Sequence, residues 1–302
     1  MSEFYKGDQR AWFHDEGHPA GFFHTYEALD VGGEPRKVQV FVPRDYEETG
    51  THYPVLYTND GDTTFFPGGA IGLSWHMGET LSDLYSQNAI RKVIVVAVYP
   101  VDREKEYTHA PASLGLFNQQ QSCCGVEDYS NYLADNLKPF IDGCYRTLPQ
   151  PQDTTILGAS HGGLAAYYTA CRRPERFGVA AAFSPSFWIG LDGGLGTFRS
   201  LANSKLLQLT GDALADREKR PRFWLDWGLL RNGGFHNWFI EGNTTKRGRE
   251  MAKLLRDRYG YVEGEDLFVF EDAEGEHSEA SWSRRLPMAL KALYAQRSPV
   301  AV

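Results

Sequence analysis

Thr154-Thr155-Ile156-Leu157-Gly158-Ala159-Ser160-His161-Gly162-Gly163-Leu164-Ala165-Ala166-Tyr167-Tyr168 is the stretch on which the reading of the fold turns. An apolar, β-branched run ends at Gly158, one serine stands among glycines, and a helix-like segment begins at once. A strand that passes straight into a helix crowds its own backbone, so small residues are needed on both sides of the tip. Gly158-x-Ser160-x-Gly162 in that setting is the pattern of a nucleophile elbow, which lifts a serine oxygen clear of the carboxyl edge of a sheet. The helix that follows aims its dipole and first-turn N–H groups at the same place, which makes the His161 N–H the expected first oxyanion donor. The His161 ring is expected to line the cleft, because neighbours at so tight a turn point apart.

Outward from the elbow, β-rich runs recur at 21–29, 36–42, 54–57, 92–98, 153–157, 178–183, 222–227 and 266–270. Between them the spacing predicts helices over roughly 79–89, 127–145, 161–173, 244–259 and 279–296. This alternation implies right-handed crossovers onto a mostly parallel sheet, and a run such as Val93-Ile94-Val95-Val96-Ala97-Val98 suits a sheet covered on both faces. The expected architecture is a three-layer α/β/α sandwich whose N-terminal edge is antiparallel. With 302 residues and no repeat or linker-like tract, one domain over 1–302 is expected, its first 20 or so residues an extension. Two irregular stretches, 60–78 and 100–126, are long enough to be candidate walls of a cleft.

A serine hydroxyl needs a base, and a loop after the last strand is where one is delivered to an elbow. His277, in Asp272-Ala273-Glu274-Gly275-Glu276-His277, follows the run at 266–270 and precedes a helix with Leu286, Ala289, Leu290 and Leu293 at helical spacing. Trp282 is expected to pack beneath that loop. The acid that orients the base should follow the run at 222–227, but Gly228-Leu229-Leu230-Arg231-Asn232 holds no carboxylate. Asp226 inside the strand and Glu241 before the next helix are the two candidates; Glu241 is favoured because an acid within a strand points to a sheet face. A second oxyanion donor is expected from the loop Asn59-Asp60-Gly61-Asp62, at the Asp62 N–H. Phe65, Phe66, Trp75, Phe187, Trp188 and Trp238 are candidates for contact with an apolar or aromatic group, with core packing the preferred role for most.

The net charge of −8 and a pI near 5.6 leave no basic footprint, so neither nucleic acid nor an anionic membrane is an expected partner. No apolar run is long enough for a signal peptide or a membrane span, and a soluble cytoplasmic protein is expected. Four cysteines form no disulfide framework, and Cys123 next to Cys124 is expected to remain reduced. No Cys-x-x-Cys or His-Glu-x-x-His is present, and the chemistry suggested by the elbow needs no metal or cofactor.

The segments Tyr53 to Asp62, Asn136 to Thr147, Ile156 to Trp188 and Gly275 to Tyr294 together resemble the putative-esterase family of α/β hydrolases. That family includes enterobactin esterases, feruloyl esterases, S-formylglutathione hydrolases and mycolyltransferases. The resemblance spans roughly residues 20–296 and implies an α/β-hydrolase fold and a serine esterase acting on a small or medium ester through an acyl-serine. Phe239-Ile240-Glu241 is similar to the Phe-Leu-Glu segment that carries the acid in the mycolyltransferases, whereas Gly228-Leu229 departs from the feruloyl esterases. Acyl transfer to another alcohol and thioester hydrolysis use the same groups and are the alternative activities. A catalytically inactive binding module would ordinarily have lost the serine or the base.

Overall fold

The computed structural model describes residues 1–69, 72–111, 122–191, 199–231 and 237–295, with the backbone alone at 237. In chain order the elements are β1 (Ser2–Lys6), β2 (Gln9–His14), β3 (Gly21–Leu29), β4 (Arg36–Pro43), β5 (Val55–Thr58), α1 (Gly61–Thr64), α2 (Met77–Ser86), β6 (Ile94–Val98) and α3 (Arg103–Glu106). They continue with α4 (Val126–Asn131), α5 (Lys138–Cys144), β7 (Thr154–Ala159), α6 (His161–Arg172), β8 (Val179–Phe183), α7 (Lys205–Ala215), β9 (Arg222–Gly228), α8 (Gly242–Asp257), β10 (Leu267–Asp272) and α9 (Glu279–Tyr294). The strands form one sheet in the order β1-β2-β3-β4-β6-β5-β7-β8-β9-β10. Pairing is antiparallel from β1 through β4 to β6 and parallel from β6 to β10.

Side-chain alternation in the central strands explains the three layers. Val55 and Tyr57 of β5, with Ile94, Val96 and Val98 of β6, pack on the face covered by α4 to α8. Leu56, Val95 and Ala97 point the other way, onto α2 through Met77, Leu81 and Leu84 and onto α9 through Trp282, Leu286 and Leu290. Both faces are dry, as the continuously apolar strands require. Strand order reverses direction around β6-β5-β7, and the carboxyl ends of β5 and β7 therefore flank the crevice where open α/β sheets bind ligands.

Several expectations need correction. The first residues, expected as an extension, add two strands to the edge of the sheet: β1 and β2 form a hairpin, with Gly7 and Asp8 at φ 55° and 59° making the two-residue turn, and β2 pairs with β3. The helix expected over 127–145 is present as a continuous helical run from Val126 to Cys144, with a π-helical turn over Tyr132–Leu137 between α4 and α5. Helix α7 has no counterpart in the sequence reading; Ser204 caps it by accepting the Leu207 N–H at 3.1 Å, and Leu206, Leu207, Thr210 and Leu214 supply its buried face. Cys123 and Cys124 are joined by a disulfide instead of standing as free thiols, in a turn that places Cys124 at φ 75°; Cys144 and Cys171 are free. Of the two long stretches, 60–78 contains α1 and the start of α2 and 100–126 contains α3, while residues 70–71 and 112–121 lie outside the described residues. Among the described residues no helix is long and apolar enough to cross a membrane.

Candidate active site

Ser160 occupies the single position between β7 and α6, at φ 55° and ψ −120°. A non-glycine residue rarely adopts a positive φ, and here the surroundings impose it. The Ser160 N–H donates to the Phe183 carbonyl at 3.0 Å, and its own carbonyl accepts from Ser186 N at 3.0 Å and Leu164 N at 3.1 Å. The flanking glycines are required sterically. A Cβ on Gly158 would lie 2.3 Å from the Gly162 carbonyl oxygen, and one on Gly162 would lie 2.9 Å from an Asp60 carboxylate oxygen. His161 opens α6, so its N–H lies in the first turn, where no intrahelical acceptor exists. The His161 ring lies 3.9 Å from Glu104 and 6.0 Å from Trp188, beside the elbow as expected for a lining group.

The loop after β5 is fastened to the elbow. Asn59 donates from its side chain to the Gly162 carbonyl at 2.8 Å and accepts from Tyr129 Oη at 2.7 Å. Asp60, at φ 54°, is gripped by Arg103 through bonds of 2.7 and 3.0 Å, and its N–H donates to Tyr107 Oη at 3.0 Å. Asp62 follows in the first turn of α1; its carboxylate accepts from Gly69 N at 3.0 Å and is raised above the usual aspartate range by burial and by the charge of Asp60.

His277 lies after β10 and immediately before Ser278, which caps α9. Its ring meets Trp282 edge-on at 5.2 Å, and Trp282 Nε1 donates to Ser184 Oγ at 3.1 Å. The loop bearing His277 is thus tied to the turn after β8 through Trp282. Glu241 ends the π-helical turn Asn237–Glu241, just ahead of α8, and is almost wholly buried. Its Oε1 accepts from the main-chain N–H of His277 at 3.1 Å, and Oε2 lies 3.8 Å from Arg231. The structure therefore brings Glu241 and His277 into direct contact through the backbone of residue 277.

Asp226 is engaged elsewhere. Fully buried within β9, it accepts from Trp224 Nε1 at 2.8 Å and Ser184 N at 3.2 Å and pairs with Arg285 of α9 at 3.0 Å. Burial raises its carboxyl above the usual range, and Arg285 opposes that rise. Of the aromatic candidates, Phe65, Trp75, Phe187 and Trp188 are buried, Phe66 is half-buried, and Trp238 is exposed beside Glu241.

Two groups escaped the sequence reading. Ser186 places its Oγ 3.3 Å from Ser160 Oγ; a serine three residues past the end of the neighbouring strand, in Ser184-Pro185-Ser186, is the signal that marks it. Arg285 reads in sequence as one more charge on a helix, and nothing local shows that it is buried. Among the described residues no group of three or more His, Cys, Asp or Glu side chains is arranged to hold a metal ion.

The fold has many counterparts of low sequence identity. An IroE-like serine hydrolase from Shewanella oneidensis superposes with a TM-score of 0.63 at 20% identity, over 86% of this chain and 75% of that one. The BES protein from Bacillus cereus gives 0.62 at 17% identity over 98% and 99%. In sequence, the siderophore triacetylfusarinine C esterase of Aspergillus fumigatus is 26% identical over 164 residues, 52% of this chain and 53% of that protein. An endo-1,4-beta-xylanase/feruloyl esterase of Xylanibacter ruminicola is 25% identical over 211 residues, 67% of this chain and 26% of that protein. The chain thus spans about half or less of the length of these relatives. The family described as "Putative esterase" matches over residues 31–293, which hold seven of the ten strands of the α/β-hydrolase sheet, β4 to β10, and the chain belongs to that family.

Proposed function

We propose that the chain is a serine carboxylic-ester hydrolase that works as one domain through an acyl-serine intermediate, with Ser160 as nucleophile, His277 as base and Glu241 as the acid that holds the base. The observation that carries this reading is the backbone of Ser160, kept at φ 55° and ψ −120° on the carboxyl edge of the sheet by glycines that admit no side chain. Strain of that kind persists only where the surrounding structure imposes it, which supports a chemical role for the residue that carries it. The Ser160 proton passes to the imidazole of His277 as Oγ bonds to the ester carbonyl carbon. N–H groups of His161 and Asp62 stabilise the oxyanion. The carbonyl–alkoxy bond then breaks, the alcohol leaves with the proton from His277, and water repeats the sequence to release the acid.

The names of the relatives bring in siderophore and feruloyl esters as substrate candidates. A panel of p-nitrophenyl acetate, longer acyl esters, a feruloyl ester and a siderophore ester tests them. Ser160→Ala is expected to abolish turnover of p-nitrophenyl acetate, and a fluorophosphonate is expected to label Ser160 in the native protein. Turnover by Ser160→Ala at the native rate would overturn the reading.

A further inference from the structure

The hydroxyl of Ser186 is wholly buried, and among the described residues its hydrogen-bond partner is the Ser160 hydroxyl, at 3.3 Å. Burying a hydroxyl is unfavourable unless it is bonded, so this one is kept for that contact. Its neighbour across Pro185 behaves differently: Ser184 Oγ faces α9, accepting from Trp282 and from Arg285 at 3.0 Å. The backbone aligns Ser186 with the elbow independently of its side chain, since Ser186 N donates to the Ser160 carbonyl and Ser160 N donates to the Phe183 carbonyl. Residues 183–186 therefore clamp the nucleophile from one side and present a second hydroxyl to its oxygen.

We propose that Ser186 is a positioning residue for Ser160, holding Oγ in the attacking orientation and donating a hydrogen bond to it as its proton leaves. The proposal rests on Ser160 being the nucleophile. In the resting site either hydroxyl can donate to the other. Once the Ser160 proton has moved to His277, Oγ has only lone pairs to offer, so the Ser186 O–H is the donor. No proton leaves Ser186: the bonds that change are the Ser160 O–H, which breaks, and the Oγ–acyl bond, which forms. At 3.3 Å the resting contact is longer than the usual 2.7–2.8 Å of such bonds, which leaves room for it to shorten as negative charge develops. An interaction stronger in the transition state than in the ground state accelerates the reaction instead of tightening substrate binding. In the acyl-enzyme, Oγ is an ester oxygen and a poor acceptor, and the contact relaxes.

The test compares Ser186→Thr with Ser186→Val, which share a shape and differ in the hydroxyl, alongside Ser186→Ala. Acylation is followed as the p-nitrophenol burst from p-nitrophenyl acetate and as the rate of fluorophosphonate labelling. Loss of the hydroxyl in Ala and Val should slow acylation about 10-fold, the size of one hydrogen bond, with the substrate dissociation constant within about twofold of native. Threonine should recover most of the rate. Acylation by Ala at the native rate, or a folded Thr variant as slow as Val, would overturn the proposal. If the β-branched pair does not fold, Ser186→Ala decides alone, because it adds no volume and keeps the main-chain bond to Ser160. Failure of the underlying reading has a separate signature: Ser160→Ala would still turn over the ester, whatever residue 186 does.

Discussion

At the scale of single residues, the site is made of side chains whose neighbours leave them little choice. Ser160 is fixed by hydrogen bonds on both faces of its peptide units, Gly158 and Gly162 by lack of space, and Asp60 by a bidentate grip from Arg103. Glu241 and Asp226 are both buried acids, and their partners separate them. Asp226 is taken up by Arg285, Trp224 and Ser184, whereas Glu241 touches the residue proposed as base. Glu241→Gln is accordingly expected to lower kcat on p-nitrophenyl acetate about 100-fold or more, because an amide cannot stabilise an imidazolium as a carboxylate does. The melting temperature should change little. Native-like kcat in this variant would remove Glu241 from the proposed machinery.

At the scale of elements, the loop bearing His277 is held by what lies beneath it. Arg285, one turn beyond Trp282 in α9, is buried and bonds Asp226 of β9, Asp272 at the end of β10 at 3.3 Å, and Ser184 after β8. A single guanidinium thereby fastens α9 to the carboxyl ends of three strands and fixes both ends of the loop 273–278. Removing one member of such a pair leaves a buried charge without compensation. Arg285→Met is expected to cost about 3–5 kcal/mol in urea unfolding, more than the double change Arg285→Met with Asp226→Asn, which neutralises both. An equal or larger loss in the double variant would show that packing, not charge, dominates there. The elements themselves were largely legible from pattern: every strand from β3 to β10 lies where alternation and continuous apolar runs place it. Helix α7 was not, because its apolar stripe is short and its cap is a lone serine. The hairpin of β1 and β2 was missed because its residues are partly exposed and carry little pattern.

At the scale of the whole molecule, acid stability reports on two buried histidines, His24 and His109. Burial holds His24 down to about 4, with the charge of Lys6 adding to the effect, and holds His109 down to about 4, with Lys205 adding there. As pH falls below the ordinary histidine value of 6.5, the unfolded chain takes up these protons and the native state does not. Stability is therefore complete above about pH 6.5 and lost progressively down to about pH 4, by roughly 1.4 kcal/mol per pH unit for each histidine. Asp226, raised by burial, acts in the opposite sense above the ordinary aspartate value, so the measurement must be a difference. Urea unfolding of the native chain and of His24→Gln with His109→Gln, from pH 7 to 4.5, should give a shallower slope in the variant; parallel slopes would refute the assignment. What the sequence alone determined was local: an elbow recorded by three small residues around Ser160, the periodicity of the strands, and the order in which Ser160, Glu241 and His277 follow β7, β9 and β10. Those features depend on neighbours along the chain and on the alternation of a pleated strand, so they can be read in one dimension. The contacts of Ser186 with Ser160, Arg285 with Asp226, and Glu241 with the main chain of His277 were decided only in three dimensions. They join segments 26, 59 and 36 residues apart, and which buried polar group meets which depends on sheet order and helix packing that no local pattern encodes.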